Sequence, residues 1–187
     1  MDGYLRSAFE AIRREDFLTD DQREYVAEDR PLPIGYQQTN SQPTTVRQML
    51  ELLSPERGNR VLDVGSGSGW TTALLGNLTG PTGQVWGVEL VPELAEWGGA
   101  NVARYDMPWV TVVLADPGQL GLPTQAPFDR ILVSAQAREL PRSLTDQLGV
   151  GGRMVIPVHG RLQVVDRQPD GQLDVRRVGH YAFVPLR

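Results

Sequence analysis

Short β-prone apolar runs recur through the second two thirds of this chain: Arg60–Val64, Gln84–Glu89, Trp109–Leu114, Phe128–Val133 and Arg153–Pro157. Segments with helical spacing separate them. One begins at Thr71 with Thr72, Ala73, Leu74 and Leu75, one covers Pro92–Arg104, and a short one covers Arg142–Leu148 and closes at Gly149. Strands alternating with helices predict an α/β fold with a doubly wound, mostly parallel sheet. Two further runs, around Leu162–Asp166 and Val178–Val184, flank a turn at Pro169, Asp170 and Gly171. They give the sheet an antiparallel end and bring it to seven strands.

Ahead of the sheet the pattern changes. Tyr4, Leu5, Ala8, Phe9 and Ile12 share one helical stripe, with Arg6, Glu10, Arg13 and Arg14 off it, which predicts an amphipathic helix over 4–14. Residues 15–42 show no periodicity, and so long an irregular stretch is usually functional or mobile. Its length is enough for a lid over substrate. Ser41 stands where it can cap a following helix, with Pro43 in the first turn. Val46, Met49, Leu50 and Leu53 give that helix its buried face.

The run from Arg60 to Trp70, RVLDVGSGSGW, reads as a buried strand entering a glycine-rich turn and then a helix. Gly65, Gly67 and Gly69 let the backbone turn sharply and let a ligand approach main-chain N–H groups. A dinucleotide loop wants its third glycine one residue later, and Trp70 occupies that place. Asp63 just before the turn repels a pyrophosphate and attracts an amino group. A nucleoside carrying an amino-acid tail therefore fits better than a nicotinamide dinucleotide. In doubly wound sheets ligands bind beyond the carboxyl ends of the strands. Those ends carry Asp63, Glu89, Asp116 and Ser134. In a nucleoside reading Asp63 faces the tail, Glu89 accepts from the ribose hydroxyls and Asp116 accepts from the adenine amino group.

Composition narrows the choices. The 187 residues suit one domain, 1–187, with N-terminal helices and a substrate-side loop in 1–59 and a cofactor-binding sheet in 60–187. A net charge of −5 disfavours a nucleic-acid-binding face. All 18 basic residues are arginine, which excludes lysine chemistry, and the absence of cysteine excludes thiol chemistry and disulfides. His159 and His180 are not spaced as a ligand pair, so no metal is expected. With neither a leader pattern nor an apolar run of membrane length, a cytoplasmic location without membrane contact is the expectation.

With these motifs the chain resembles the class I S-adenosylmethionine-dependent methyltransferases, and among them the protein-L-isoaspartate O-methyltransferases. The most specific segment is Leu32 to Pro43, LPIGYQQTNSQP, which matches the family's signature ahead of the first strand. Asp63 to Gly69 matches the cofactor loop; Ala126–Val133, Gln147–Pro157 and Phe183–Leu186 complete the series. The resemblance implies transfer of a methyl group from S-adenosyl-L-methionine to the free α-carboxylate of L-isoaspartyl residues in damaged proteins and peptides. S-adenosyl-L-homocysteine is the product and no metal is involved. It implies Ser41 as the catalytic residue. Gln38, Thr39, Ser41, Asp63, Gly65, Gly67, Glu89, Leu90, Asp116 and Pro117 border the cofactor. The implied partners are protein or peptide substrates, without nucleic acid or membrane, and the implied state is a monomer.

Four positions depart from the family's pattern: Asn40 replaces a branched apolar residue, Ala115 and Pro117 replace the glycines on either side of Asp116, and Trp70 replaces a frequent tyrosine; the chain is also somewhat short at its amino end. Asn40 adjoins the expected substrate carboxylate, so it bears on substrate choice. The second reading is accordingly a carboxyl methyltransferase acting on an aspartate of one dedicated peptide in a peptide-modification pathway. A non-catalytic cofactor-binding protein and a nicotinamide oxidoreductase are further readings, opposed by the intact acids and Ser41 and by Trp70.

Overall fold

Alternation of side chains sends neighbouring strand residues to opposite faces, and here both faces are apolar, as a covered parallel sheet requires. The computed structural model describes residues 3–186; the ends of the expected 1–187 domain, residues 1, 2 and 187, lie outside the described residues. In chain order the elements are α1 (Gly3–Ala11), β1 (Leu32–Gly35), β2 (Gln38–Asn40), α2 (Pro43–Leu53), β3 (Arg60–Val64), α3 (Trp70–Thr79) and β4 (Gln84–Glu89). There follow α4 (Pro92–Val102), β5 (Val110–Leu114), β6 (Phe128–Val133), α5 (Arg142–Thr145), β7 (Leu148–Val158), β8 (Arg161–Arg167) and β9 (Leu173–Val178).

The seven-stranded sheet has the order β5-β4-β3-β6-β7-β8-β9. Strands β3 to β7 run parallel, and β8 and β9 add the antiparallel end. From β3 the chain winds outward to β5 and then returns to β6 on the other side of β3. That reversal leaves a crevice above the carboxyl ends of β3 and β6. Val61, Val85, Leu132 and Val155 face a core shared with α1, α2 and α3. Leu62, Val64, Trp86, Val88 and Ile131 face a second core, closed by Leu144, Leu148 and the connection after β5. Helix α3 packs against α1, α4 and the sheet and is buried almost all round, which its low polarity requires. Among the described residues no helix is long and apolar enough to cross a membrane.

Three expectations need correcting. Residues 15–42 are ordered rather than irregular: two 3₁₀ turns, Arg14–Phe17 and Asp20–Tyr25, precede the β1–β2 hairpin. These elements are too short to show a period, and side-chain bonds to the main chain hold them. The hairpin turns through Tyr36 and Gln37, both at positive φ (53° and 59°). The second correction is at the end of the chain, where the last strand is Leu173–Val178 rather than Val178–Val184. The reversal closes tightly, Gly171 N–H donating to Gln168 O at 2.8 Å, so pairing resumes at once. Residues 181–186 instead leave the sheet and cross its carboxyl edge, where Gln136 N–H donates to Val184 O at 2.7 Å. Thirdly, Ser41 does not cap α2. Asp29 does, accepting from Thr44 N–H at 2.9 Å and from Thr44 Oγ1 at 2.7 Å.

Candidate active site

Above the carboxyl ends of β3, β4 and β6 lies a cleft of about 440 Å³. The glycine turn forms its floor, residues 38–42 one wall, residues 115–121 another, and the closing segment 182–186 part of its rim. Its volume is within the range of small-molecule sites.

The turn is built by main-chain bonds. Val88 O accepts from Gly65 N–H at 2.9 Å and Ser66 N–H at 3.1 Å, and Gly69 N–H donates to Ser66 O at 2.8 Å. Gly69 sits at φ 90°, and a Cβ there would stand 2.8 Å from Gly98 O of α4. Only glycine allows that approach and that backbone. The close packing that a dinucleotide loop obtains from a later glycine is thus supplied by Gly69 against Gly98. Trp70 is free to turn away into the core, where its ring meets Phe9 edge-on at 5.7 Å.

Glu89 is 6 % exposed at the end of β4. Its Oε2 accepts from Gly67 N–H at 2.8 Å, and its Oε1 from Leu90 N–H at 2.8 Å and Val91 N–H at 3.0 Å. A carboxylate offers about four acceptor positions, so Oε2 retains one on the cleft side. Glu89 therefore shapes the turn and keeps capacity for a ligand hydroxyl. Asp116 is exposed at the far wall, with Oδ1 accepting from Gly118 N–H at 2.8 Å, and Pro117 beside it lines the same wall.

Asp63 lies differently. It is fully buried under the turn and does not line the cleft, whereas Gln38, Thr39, Ser41, Gly65, Gly67, Glu89, Leu90, Asp116 and Pro117 all do. Its Oδ2 accepts from Thr71 Oγ1 at 2.9 Å and Thr72 Oγ1 at 2.7 Å, while Oδ1 is buried without a partner. Burial raises its pKa to about 6, against the two hydroxyl bonds, which lower it. An ionised carboxylate here acts on the cleft through the turn, favouring a cation above it.

On the opposite wall, Ser41 is half-buried and lines the cleft, its hydroxyl not engaged at the helix start. The neighbouring Asn40 is turned inward rather than toward a substrate. Its Oδ1 accepts from Arg14 Nε at 2.9 Å and its Nδ2 donates to Ser68 Oγ at 3.3 Å. Arg14, expected on the solvent side of the first helix, is 7 % exposed. Burial pulls its pKa down to about 10, so it stays charged at neutral pH. Nη1 donates to Val26 O at 3.2 Å and Glu28 O at 2.9 Å, and Nη2 to Arg30 O at 2.8 Å and Ser41 O at 3.1 Å. Arg14 and the rim at 182–186 are the parts of the site that sequence reasoning missed. The one visible signal was Asn40, a polar residue in a place that wants an apolar one and therefore in need of a buried partner.

The sequence matches the model of the protein-L-isoaspartate(D-aspartate) O-methyltransferase family over residues 2–187. The chain belongs to this family. Among curated isoaspartate methyltransferases, that of Aeropyrum pernix is 44 % identical over 183 residues, covering 96 % of this chain and 70 % of that protein. That of Methanopyrus kandleri is also 44 % identical, over 193 residues, covering 98 % of this chain and 85 % of that protein. A solved protein-L-isoaspartate O-methyltransferase superposes with a TM-score of 0.87 at 28 % identity, over 100 % of this chain and 62 % of that one. The fold is shared with a Plasmodium falciparum protein crystallised with S-adenosyl-L-homocysteine, TM-score 0.88 at 23 % identity, covering 100 % and 91 %. A doubly wound sheet with an antiparallel end is thus the family's methyltransferase fold.

Proposed function

We propose that this chain transfers the methyl group of S-adenosyl-L-methionine to the free α-carboxylate of L-isoaspartyl residues in damaged proteins and peptides. The observation that carries the reading is that one cleft brings the signature segment, with Ser41, face to face with the glycine turn, Glu89 and Asp116. The residues fit the cofactor. Glu89 keeps an acceptor position for a ribose hydroxyl, Asp116 stands where an adenine amino group can donate, and the buried Asp63 favours a positive tail. When bound, S-adenosyl-L-methionine supplies a methyl carbon made electrophilic by its sulfonium.

The substrate carboxylate is ionised at neutral pH, so the site needs no general base. An oxygen–carbon bond forms as the sulfur–carbon bond breaks, and S-adenosyl-L-homocysteine leaves. What the protein contributes is orientation and exclusion of water. The Ser41 hydroxyl donates to one carboxylate oxygen and leaves the other aimed at the methyl. Hairpin, rim and glycine turn together exclude water while the two opposite charges cancel.

In this reading residues 1–59 form the peptide side and 60–187 the cofactor side of one working unit. It acts as a monomer on protein and peptide partners, a single chain being enough to line the cleft from the signature segment to the glycine turn. The dedicated-peptide reading is less favoured, because both polar atoms of the Asn40 side chain that prompts it are engaged by Arg14 and Ser68.

The test is methyl transfer from labelled S-adenosyl-L-methionine to matched isoaspartyl and aspartyl peptides. Transfer to the isoaspartyl peptide alone is expected, and transfer to the aspartyl peptide alone would overturn the reading. Ser41→Ala should lower kcat at least about tenfold with S-adenosyl-L-homocysteine affinity unchanged. Equal losses in both would remove the hydroxyl from its assigned role.

A further inference from the structure

Between the end of β2 at Asn40 and the start of α2 at Pro43, Ser41 and Gln42 belong to no regular element. The aim of the Ser41 hydroxyl therefore depends on whatever anchors this stretch of main chain. Pro43 has no N–H, so the following helix cannot help from that residue. Gln42 O accepts from Val46 N–H at 3.0 Å as an ordinary helical bond. The Ser41 carbonyl is held instead by Arg14 Nη2 at 3.1 Å.

The same guanidinium draws the preceding chain together. Its nitrogens bond Val26 O, Glu28 O and Arg30 O, all within the segment that leads into the hairpin. Its Nε reaches Asn40, whose amide continues to Ser68 of the glycine turn. The guanidinium carbon lies over the Trp70 ring, 5.5 Å from its centre, a cation–π contact that adds to the hold on the group. From Ser68 the path goes on: Asn101 Nδ2 of α4 donates to Ser68 O at 3.0 Å, and the adjacent Gly67 N–H donates to Glu89. The serine of the peptide side and the acid of the cofactor side thus hang on one connected set of polar bonds.

We propose that Arg14, with Asn40, is a positioning residue for methyl transfer: it fixes the main chain of Ser41 and ties it to the cofactor turn at Ser68. The proposal rests on the function proposed above. A guanidinium is required, because five acceptors surround the group and an ammonium offers only three donors. The role of Asn40 also follows. An apolar side chain there would leave the Arg14 Nε without an acceptor and the hairpin without its link to the turn.

The experiment uses Arg14→Lys and Asn40→Val in the full chain. It measures kcat and KM on an isoaspartyl peptide, S-adenosyl-L-homocysteine affinity by calorimetry, and amide hydrogen exchange at residues 38–41. A displacement of about 1 Å can remove a hundredfold in rate, so kcat of Arg14→Lys should fall at least about tenfold per folded molecule. Cofactor-product affinity should hold within about threefold, and the amides at 38–41 should exchange faster. Asn40→Val keeps the Ser41 bond and should show a smaller fall in kcat in the same direction. It keeps the question decidable if Arg14→Lys folds poorly. Wild-type kcat in both folded variants would overturn the positioning role alone. Parallel falls in kcat and product affinity would also overturn it, because they report loosening of the cofactor side. Failure of the wild type on both peptides would instead remove the reaction itself, and this proposal with it.

Discussion

Replacing Asp63 by asparagine deletes a fully buried ionisable group without changing its shape, and the pH dependence of the effect is fixed by geometry. Burial raises the carboxyl from 3.8 to about 6 in the folded chain. The native state therefore holds this proton more tightly than the unfolded state. Below about pH 3 both states carry it, and Asp63 imposes no ionisation penalty. As pH rises through about 6 the unfolded chain has already released the proton while the native chain must ionise a carboxylate whose Oδ1 has no donor. At about 1.4 kcal/mol per pKa unit, the wild type loses about 3 kcal/mol between about pH 3 and 7 from this group. The amide variant cannot titrate there. Groups that do not interact with Asp63 are common to both proteins and cancel, and the amide's own buried N–H₂ adds an offset that does not vary with pH. Urea unfolding of both ligand-free proteins at four pH values measures the difference. The variant should gain on the wild type by about 3 kcal/mol from acid to neutral pH. A difference that stays flat would refute the placing of an unpaired buried carboxylate beneath the turn.

Gly98→Ala tests the contact that replaces a later loop glycine: its Cβ would lie 2.7 Å from Gly67 O and 3.3 Å from the Ser68 carbonyl carbon. Helix propensity alone favours alanine by about 1 kcal/mol, yet overpacking against backbone should give a net loss of about 1–3 kcal/mol. Thermal unfolding and calorimetry with S-adenosyl-L-homocysteine read it, and a stabilised variant with normal binding contradicts the packing argument. Glu89→Gln places an amide among three backbone N–H donors that one oxygen cannot all satisfy. Stability should fall about 1–3 kcal/mol and product affinity at least about tenfold; unchanged affinity would separate Glu89 from the cofactor.

The parts of the site that could be read from sequence are those fixed by local geometry. Glu89 and Asp116 follow apolar strands, and a strand entering a glycine turn fixes where its last side chains stand. Asp63 was placed on the right strand, but alternation alone did not show that its side chain lies under the turn rather than in the cleft. Ser41 was recognised through its neighbours, while its capping role failed because Asp29, a dozen residues earlier, reaches the helix start first. The final strand was misplaced for a related reason. Leu173 and Val175 are edge positions left 38 % and 37 % exposed, so they give a weak signal. The stronger apolar run at 181–184 serves the cleft rim instead.

Arg14 was hidden for a deeper reason. Four of its five acceptors are main-chain carbonyls, which carry no residue identity, in a segment that is ordered because those bonds exist. Only the acceptor at Asn40 left a trace. That asymmetry explains why the wall formed by residues 38–42 reads as an irregular loop while the glycine turn opposite reads as a motif. In the proposed function the cofactor is gripped by a turn whose glycines are visible in sequence. Ser41, which that function assigns to the substrate, is held by a buried cation whose partners are not. Substitutions at Arg14 and Asn40 should therefore separate turnover from cofactor affinity, whereas Gly98 and Glu89 should move cofactor affinity first.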